Sequence, residues 1–116
     1  MAIYIKQGAN IKELHIVLEK FLAFLNICID SDVYVTSGND SKHMAMSLHY
    51  SNKAVDFGVN INEETFIEIR DEFCKENKIN KSFLQYYQIS KRGYKGIPYY
   101  HVEWDEFGKY VKGSDK

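Results

Sequence analysis

The chain has little of what marks a disordered or a disulfide-stapled protein. Its 116 residues include one proline and two cysteines, and the hydrophobic content of 45% indicates a folded core. Cys28 and Cys74 match no zinc or redox spacing, so we expect buried free thiols, which fit a reducing compartment. The length predicts a single domain over residues 1–116, in which the polar residues 111–116 form a flexible tail.

An excess of charge of one sign and a long apolar run are also missing. The formal net charge is −1, and acidic and basic residues are mixed, so we expect no nucleic-acid partner. The N-terminus has no basic segment followed by an apolar one, as a secretory signal would have. The longest apolar run, residues 21–29, is too short for a membrane span. We therefore expect the protein to stay in the cytoplasm where it is made.

The hydrophobic pattern predicts two helices and four extended segments. Asn10 and Glu13 resemble a capping box before apolar residues at helical spacing, which predicts a helix over about residues 11–27. Asn62 opens a second predicted helix that ends near Lys75. Strands are predicted over residues 32–36, 54–59 and 99–104, whereas residues 82–90 suit either a strand or a short helix. This order predicts an α+β fold with a small antiparallel sheet flanked by helices.

Three residues have the chemistry of a metal site: His49, Asp56 and His101. Two imidazoles and one carboxylate give three zinc ligands and leave a fourth position open, as in catalytic zinc sites. Asp56 lies in the apolar strand AVDFGV, where a carboxylate is costly unless it is paired or metal-bound. The alternative is that Asp56 caps a turn, His49 is exposed in a loop and His101 is a hydrogen-bonded core histidine. Spacing alone leaves both interpretations open.

The segments VTSGNDSKHMAMSLHYSNKAVDF and YYHVEWD resemble the zinc-dependent D-Ala-D-Ala carboxypeptidase family, most closely its compact bacteriophage members. The same fold occurs in the Hedgehog signalling domain. The resemblance extends from the first predicted helix to the last strand, and it rests on the pattern Ser-x-His, Ala-x-Asp and a later strand histidine. That pattern falls on Ser47, His49, Ala54, Asp56 and His101. It implies the Hedgehog/DD-peptidase fold and a zinc ion held by His49, Asp56 and His101.

The same resemblance assigns residues around the metal. His43 matches a histidine of some relatives and is expected at the rim of the site, as a contact to substrate or to an oxyanion; an exposed loop histidine is the alternative. Ser47, in the Ser-x-His pattern, is expected near the substrate. Larger members have a substrate-binding arginine soon after the SG turn, where this chain has Asn39 and Asp40, so Lys42 is the candidate for that contact.

One position departs from the family pattern. Active members carry a Glu or Asp three residues before the last zinc ligand, as general base, and this chain has Pro98 there. Because a positioned carboxylate contributes roughly 10²–10⁴ to the rate, hydrolysis should be slow unless another group substitutes. Glu103 shares a strand face with His101 and is the candidate catalytic base; its alternatives are a hydrogen-bonding partner of the histidine or a surface residue. Tyr99 or Tyr100 is expected to donate a hydrogen bond to an oxyanion, with Tyr99 as the substrate-binding candidate, but a tyrosine is a poor base near neutral pH.

Two functions are compatible with these features. The first is a zinc metallopeptidase of the D-Ala-D-Ala carboxypeptidase type that acts on peptidoglycan peptides. The second is a catalytically impaired zinc-binding domain that holds a protein partner or a small ligand. Pro98 favours the second function, and an aromatic content of 15% suits both an interaction surface and a core.

Overall fold

A computed structural model describes residues 2–38 and 53–105 of the chain. The described part contains two α-helices, α1 (Ile16–Cys28) and α2 (Glu63–Glu76). Its five strands are β1 (Ile3–Ile5), β2 (Val33–Ser37), β3 (Ala54–Val59), β4 (Leu84–Ser90) and β5 (Tyr99–Trp104). Short 3₁₀ helices at Lys81–Phe83 and Tyr94–Gly96 precede β4 and β5.

The strands form one mixed sheet in the order β1-β2-β3-β5-β4. β1 runs parallel to β2, and the remaining neighbouring pairs are antiparallel. β5 lies between β3 and β4, so the two strands that carry the conspicuous carboxylates and the histidine are direct neighbours. Their register places Asp56 opposite His101 and Ala54 opposite Glu103.

Both helices pack against one face of this sheet. Their apolar side chains and alternate side chains of the strands form a single hydrophobic core. Phe66 of α2 is fully buried there; its ring stacks on Tyr100 of β5 at 4.2 Å between centroids and meets Phe21 of α1 edge-on at 5.8 Å. Because side chains alternate along a strand, the residues between these core positions lie on the opposite face of the sheet, which we call the far face. Its residues include Tyr34, Asp56, Tyr99, His101 and Glu103.

The first helix begins later than its sequence pattern predicts. α1 starts at Ile16, and its N-cap is His15, whose Nδ1 accepts a hydrogen bond from the Val17 N–H at 3.2 Å. Asn10, the predicted cap, instead accepts from the Lys12 N–H at 3.2 Å. Such a local side-chain bond offers the backbone a turn as an alternative to a helix. The predicted start near residue 11 is therefore wrong, whereas the predicted end lies within one residue of the observed end.

The α+β class is confirmed, but the sheet is not purely antiparallel as predicted. It is mixed, since the short strand β1 was not predicted and runs parallel to β2. The two helices lie on one face of the sheet, where their side chains share one core. Residues 84–90 of the ambiguous segment form strand β4. Both cysteines are free thiols, but only Cys74 is buried as predicted, whereas Cys28 is exposed at the end of α1. The predicted tail at residues 111–116 lies outside the described residues, and within the described ranges no helix is long and apolar enough to cross a membrane.

Candidate metal centre

Asp56, His101 and Glu103 meet on the far face because of the register of β3 and β5. Asp56 lies directly across from His101, and Glu103 follows two residues later on the same strand face. On the other side of β5, strand β4 places Tyr87 opposite His101. Residues distant in sequence therefore converge on one imidazole without any loop being required to hold them.

The His101 imidazole lies between two carboxylates. Its Nδ1 is 2.7 Å from Asp56 Oδ1, and its Nε2 is 2.7 Å from Glu103 Oε1. The side chains of His101 and Glu103 are 2% and 1% exposed, whereas that of Asp56 is 19% exposed. Asp56 is therefore the solvent-accessible residue of this cluster, whereas Glu103 is buried.

The two carboxylates favour a protonated imidazole. Burial alone would lower the pKa of His101, because it disfavours the charged form. The hydrogen bonds and the negative charges of Asp56 and Glu103 act in the opposite direction and outweigh burial, so the pKa of His101 is raised above its ordinary value. A cation at this position is therefore stabilised by its surroundings, whether it is a proton or a metal ion.

Tyr87 fixes the plane of the imidazole. Its ring stacks on His101 with 4.7 Å between centroids and 25° between planes. Next to it, Gln85 lies opposite Glu103; the Gln85 side-chain amide donates to the Ser82 carbonyl at 2.7 Å. In the described structure Gln85 Oε1 and Glu103 Oε2 are buried without a hydrogen-bond partner. Such buried acceptors are expensive, so Glu103 is not placed there for stability alone.

A cavity of about 370 Å³ opens on the exposed side of Asp56. It is lined by Thr36, Asp56, Ile89, Ser90, Gly93 and Tyr99. Tyr99, predicted to contact the substrate, therefore lies in the same cavity wall as Asp56. A small ligand in this cavity would reach the carboxylate of Asp56, whereas the buried Glu103 contacts the far side of the His101 ring.

Of the described residues, Asp56 and His101 are the two that would hold a metal ion on the exposed side of the imidazole. A 2.7 Å hydrogen bond now joins Asp56 Oδ1 and His101 Nδ1, so the carboxylate would have to move off the direction of the Nδ1 lone pair before a metal ion could bind there. Glu103 would keep the second ring nitrogen, an arrangement in which a carboxylate orients a metal-binding histidine.

The third predicted ligand is not among the residues the structure describes. His49 lies outside them, as do His43, Ser47 and Lys42. Among residues 2–38 and 53–105, no group of three or more His, Cys, Asp and Glu side chains is arranged to hold a metal ion. The reason is geometric: Asp56 and Glu103 lie at opposite nitrogens of one ring and share no common point.

Glu103 lies where a hydrogen-bonding partner of His101 would lie, which is one of the alternatives to the role of catalytic base. Its Oε1 contacts His101 Nε2, so the imidazole ring separates it from Asp56 Oδ1 at Nδ1. This position favours a partner that orients His101, and the base role stays a prediction. Pro98 lies just before β5 and accepts the Val59 N–H at 3.1 Å through its carbonyl; its side chain offers no proton acceptor.

Comparison of the chain with protein-family models, with curated proteins and with solved structures found no match. The interpretation of the site therefore rests on its own geometry and on the motif resemblance.

Sequence reasoning missed Tyr87 and Gln85. Both belong to the segment SFLQYYQIS, whose pattern did not distinguish a strand from a short helix. A strand assignment would have placed Gln85, Tyr87 and Ile89 on one face by alternation. The register with β5, which no local pattern encodes, was still needed to bring Tyr87 to His101.

Proposed function

We propose that the protein is a zinc-dependent hydrolase of the D-Ala-D-Ala carboxypeptidase type that acts on peptide bonds of peptidoglycan peptides. The observation that carries this proposal is the pairing of Asp56 with His101. These two residues come from separate strands, 45 positions apart, and are also the two described members of the ligand set that the motif resemblance implies. His49 is proposed as the third ligand.

Each described residue has a separate task in this proposal. Asp56 and His101 bind the metal, Glu103 holds the proton on Nε2 of His101, and Tyr87 restrains the ring by stacking. A zinc ion held by these residues would provide Lewis-acid chemistry at the scissile carbonyl. Tyr99 lies in the wall of the cavity beside Asp56, and in this proposal its hydroxyl would donate a hydrogen bond to substrate.

Metal content and hydrolysis test the proposal together. Purified protein is expected to contain about one zinc per chain, and Asp56→Ala is expected to lose it. Asp30→Ala, which removes an exposed carboxylate two residues after the end of α1, is the matched control and should retain zinc. Zinc-dependent release of D-alanine from a peptide ending in D-Ala-D-Ala would support the hydrolase. Substoichiometric zinc that does not respond to Asp56→Ala would refute the metal centre.

A second function is favoured by Pro98 and by the position of Glu103. The usual base position, Pro98, has no proton acceptor, and the carboxylate of Glu103, the candidate base, is buried behind the imidazole ring. These two features suit a zinc-binding domain that holds a protein partner or a small ligand without cleaving it. Full zinc occupancy, together with no detectable D-alanine release from D-Ala-D-Ala peptides or peptidoglycan fragments, would decide for this second function.

A further inference from the structure

A second, larger cavity lies on the far face next to the candidate metal centre. Its volume is about 500 Å³, and its lining residues are Tyr4, Ile5, Lys6, Tyr34, Val35, Thr36 and Tyr99. It shares Thr36 and Tyr99 with the cavity that opens on Asp56. The two spaces therefore adjoin, and together they extend from the edge strand β1 across the sheet to the metal ligand.

Aromatic rings that other contacts hold in place form the walls of the larger cavity. Tyr4 and Tyr34, neighbours in the register of β1 and β2, stack with 5.4 Å between centroids and 14° between planes. The Tyr99 ring lies against Gly58 and Gly93, where an added Cβ would come within 2.7 Å and 2.3 Å of ring atoms. Since only glycine leaves room for the ring at both positions, the Tyr99 ring is confined between them. Its orientation is therefore fixed before any ligand binds.

The charges at the two ends of this space have opposite signs. Of the described residues that line the larger cavity, only Lys6 carries a formal charge, and the other end is marked by the carboxylate of Asp56. Lys6 follows β1 and Asp56 lies on β3, two strand spacings away, which is roughly 10 Å. An extended peptide rises about 3.3 Å per residue, so roughly three residues bridge this distance.

We propose that the two adjoining cavities bind a short extended peptide of about three residues. Its free carboxylate faces Lys6, its apolar side chains lie against Tyr34 and Tyr99, and its N-terminal end lies beside Asp56. The choice of a peptide as occupant rests on the proposed function, whereas the aromatic walls and the lysine do not. Pockets that combine apolar walls with a few placed polar groups are typical ligand sites.

Calorimetric titration of the zinc-loaded protein at 5 °C tests this site. The probes are an N-acetylated tripeptide that ends in D-Ala-D-Ala and its C-terminal amide. The free acid is expected to bind up to about fivefold more tightly than the amide, the difference that one partly exposed ion pair can supply. Lys6→Gln should abolish this difference, and Lys20→Gln, which removes an exposed lysine of α1, should leave it unchanged.

A second pair of variants tests the aromatic wall. Tyr34→Ala removes the ring that stacks on Tyr4 and is expected to weaken binding of both probes by about tenfold. Tyr34→Phe keeps the ring and should restore binding to within about twofold of the wild type. Loss of binding in Tyr34→Ala without recovery in Tyr34→Phe would overturn the stacking role.

The outcomes separate this site from the proposed function. Equal affinity for acid and amide, or affinities unchanged in Lys6→Gln and Tyr34→Ala, would overturn the peptide site even if zinc and D-alanine release are found. Lys6-dependent binding of the free acid by a protein that retains no zinc would support the peptide site and refute the hydrolase. Absence of binding at millimolar peptide would overturn the site directly.

Discussion

The central residue of the molecule is His101, which is buried between two acidic groups. A lone buried charge is expensive, and an ion pair recovers this cost only when its geometry is good and its remaining lone pairs are satisfied. Both contacts of His101 are 2.7 Å long, but Glu103 Oε2 has no partner in the described structure. A well-packed apolar residue at Glu103 would avoid that cost. The carboxylate is therefore better explained by what it does to His101 than by stability.

Glu103→Gln tests whether this carboxylate orients a metal-binding histidine. The amide keeps the size of the side chain but removes the charge behind Nε2. Zinc affinity is expected to fall by about 10–100-fold, as for other partners of metal-binding histidines. Competition with a chelator of known affinity measures it, and Glu68→Gln, which changes an exposed residue of α2, should leave the zinc Kd unchanged.

The same variant separates the two roles considered for Glu103. If Glu103 were the general base, turnover at saturating zinc would fall by roughly 10²–10⁴, in excess of any change in zinc occupancy. If it only orients His101, added zinc should recover most of the activity. Unchanged zinc affinity together with unchanged turnover would exclude both roles.

The sequence predicted this residue-scale arrangement in part. Alternation along YYHVEW correctly places His101 and Glu103 on one face and Tyr100 in the core. Asp56 was predicted as a metal ligand because it is a carboxylate inside the apolar segment AVDFGV. Neither pattern indicates that His101 would contact a carboxylate through each nitrogen, because those contacts depend on the register between β3 and β5 and on side-chain rotamers. The partner Tyr87 depends on the register of β4 in the same way.

The elements show why one helix start was predicted correctly and the other was not. At Asn62 the cap side chain accepts from the Thr65 N–H at 2.8 Å, three residues ahead, which is the N-cap pattern. At Asn10 the bond reaches only two residues ahead, to Lys12. The helix therefore begins later, at Ile16, with His15 as its N-cap. Both asparagines precede an apolar run with helical spacing, so the local sequence does not distinguish them. Strand β1, three residues long, is below the length at which alternation carries a signal.

Asn62→Ala tests the contribution of the α2 cap. The change leaves the Thr65 N–H without its side-chain acceptor and is expected to lower the free energy of unfolding by about 1 kcal/mol. Urea denaturation measures this as a lower midpoint with an unchanged slope. Asn60→Ala, at an exposed position just before the helix, should change stability by less than about 0.5 kcal/mol. Equal effects of the two variants would contradict the assignment of Asn62 as the cap.

At the scale of the whole molecule, the residues of the hydrophobic core and the residues of the candidate site lie on opposite faces of the sheet. The helices and one face of the sheet supply the core, so the described side chains of the far face form the Asp56–His101–Glu103 cluster and line the two cavities. Composition and periodicity predicted the class of fold, because they report which residues are apolar and how often they recur. The strand order β1-β2-β3-β5-β4 is a long-range property, and no local pattern in a single sequence states it.

Zinc binding should stabilise the whole fold, because two of the proposed ligands come from adjacent central strands. A ligand that binds only the folded state at about 100 times its Kd adds about 2.7 kcal/mol to the free energy of unfolding. For a chain of this length, that corresponds to a rise of roughly 10 °C in Tm. Differential scanning calorimetry with and without zinc measures the shift. Asp56→Ala should abolish it and Asp30→Ala should preserve it, so an equal shift in both variants would place the zinc site elsewhere in the protein.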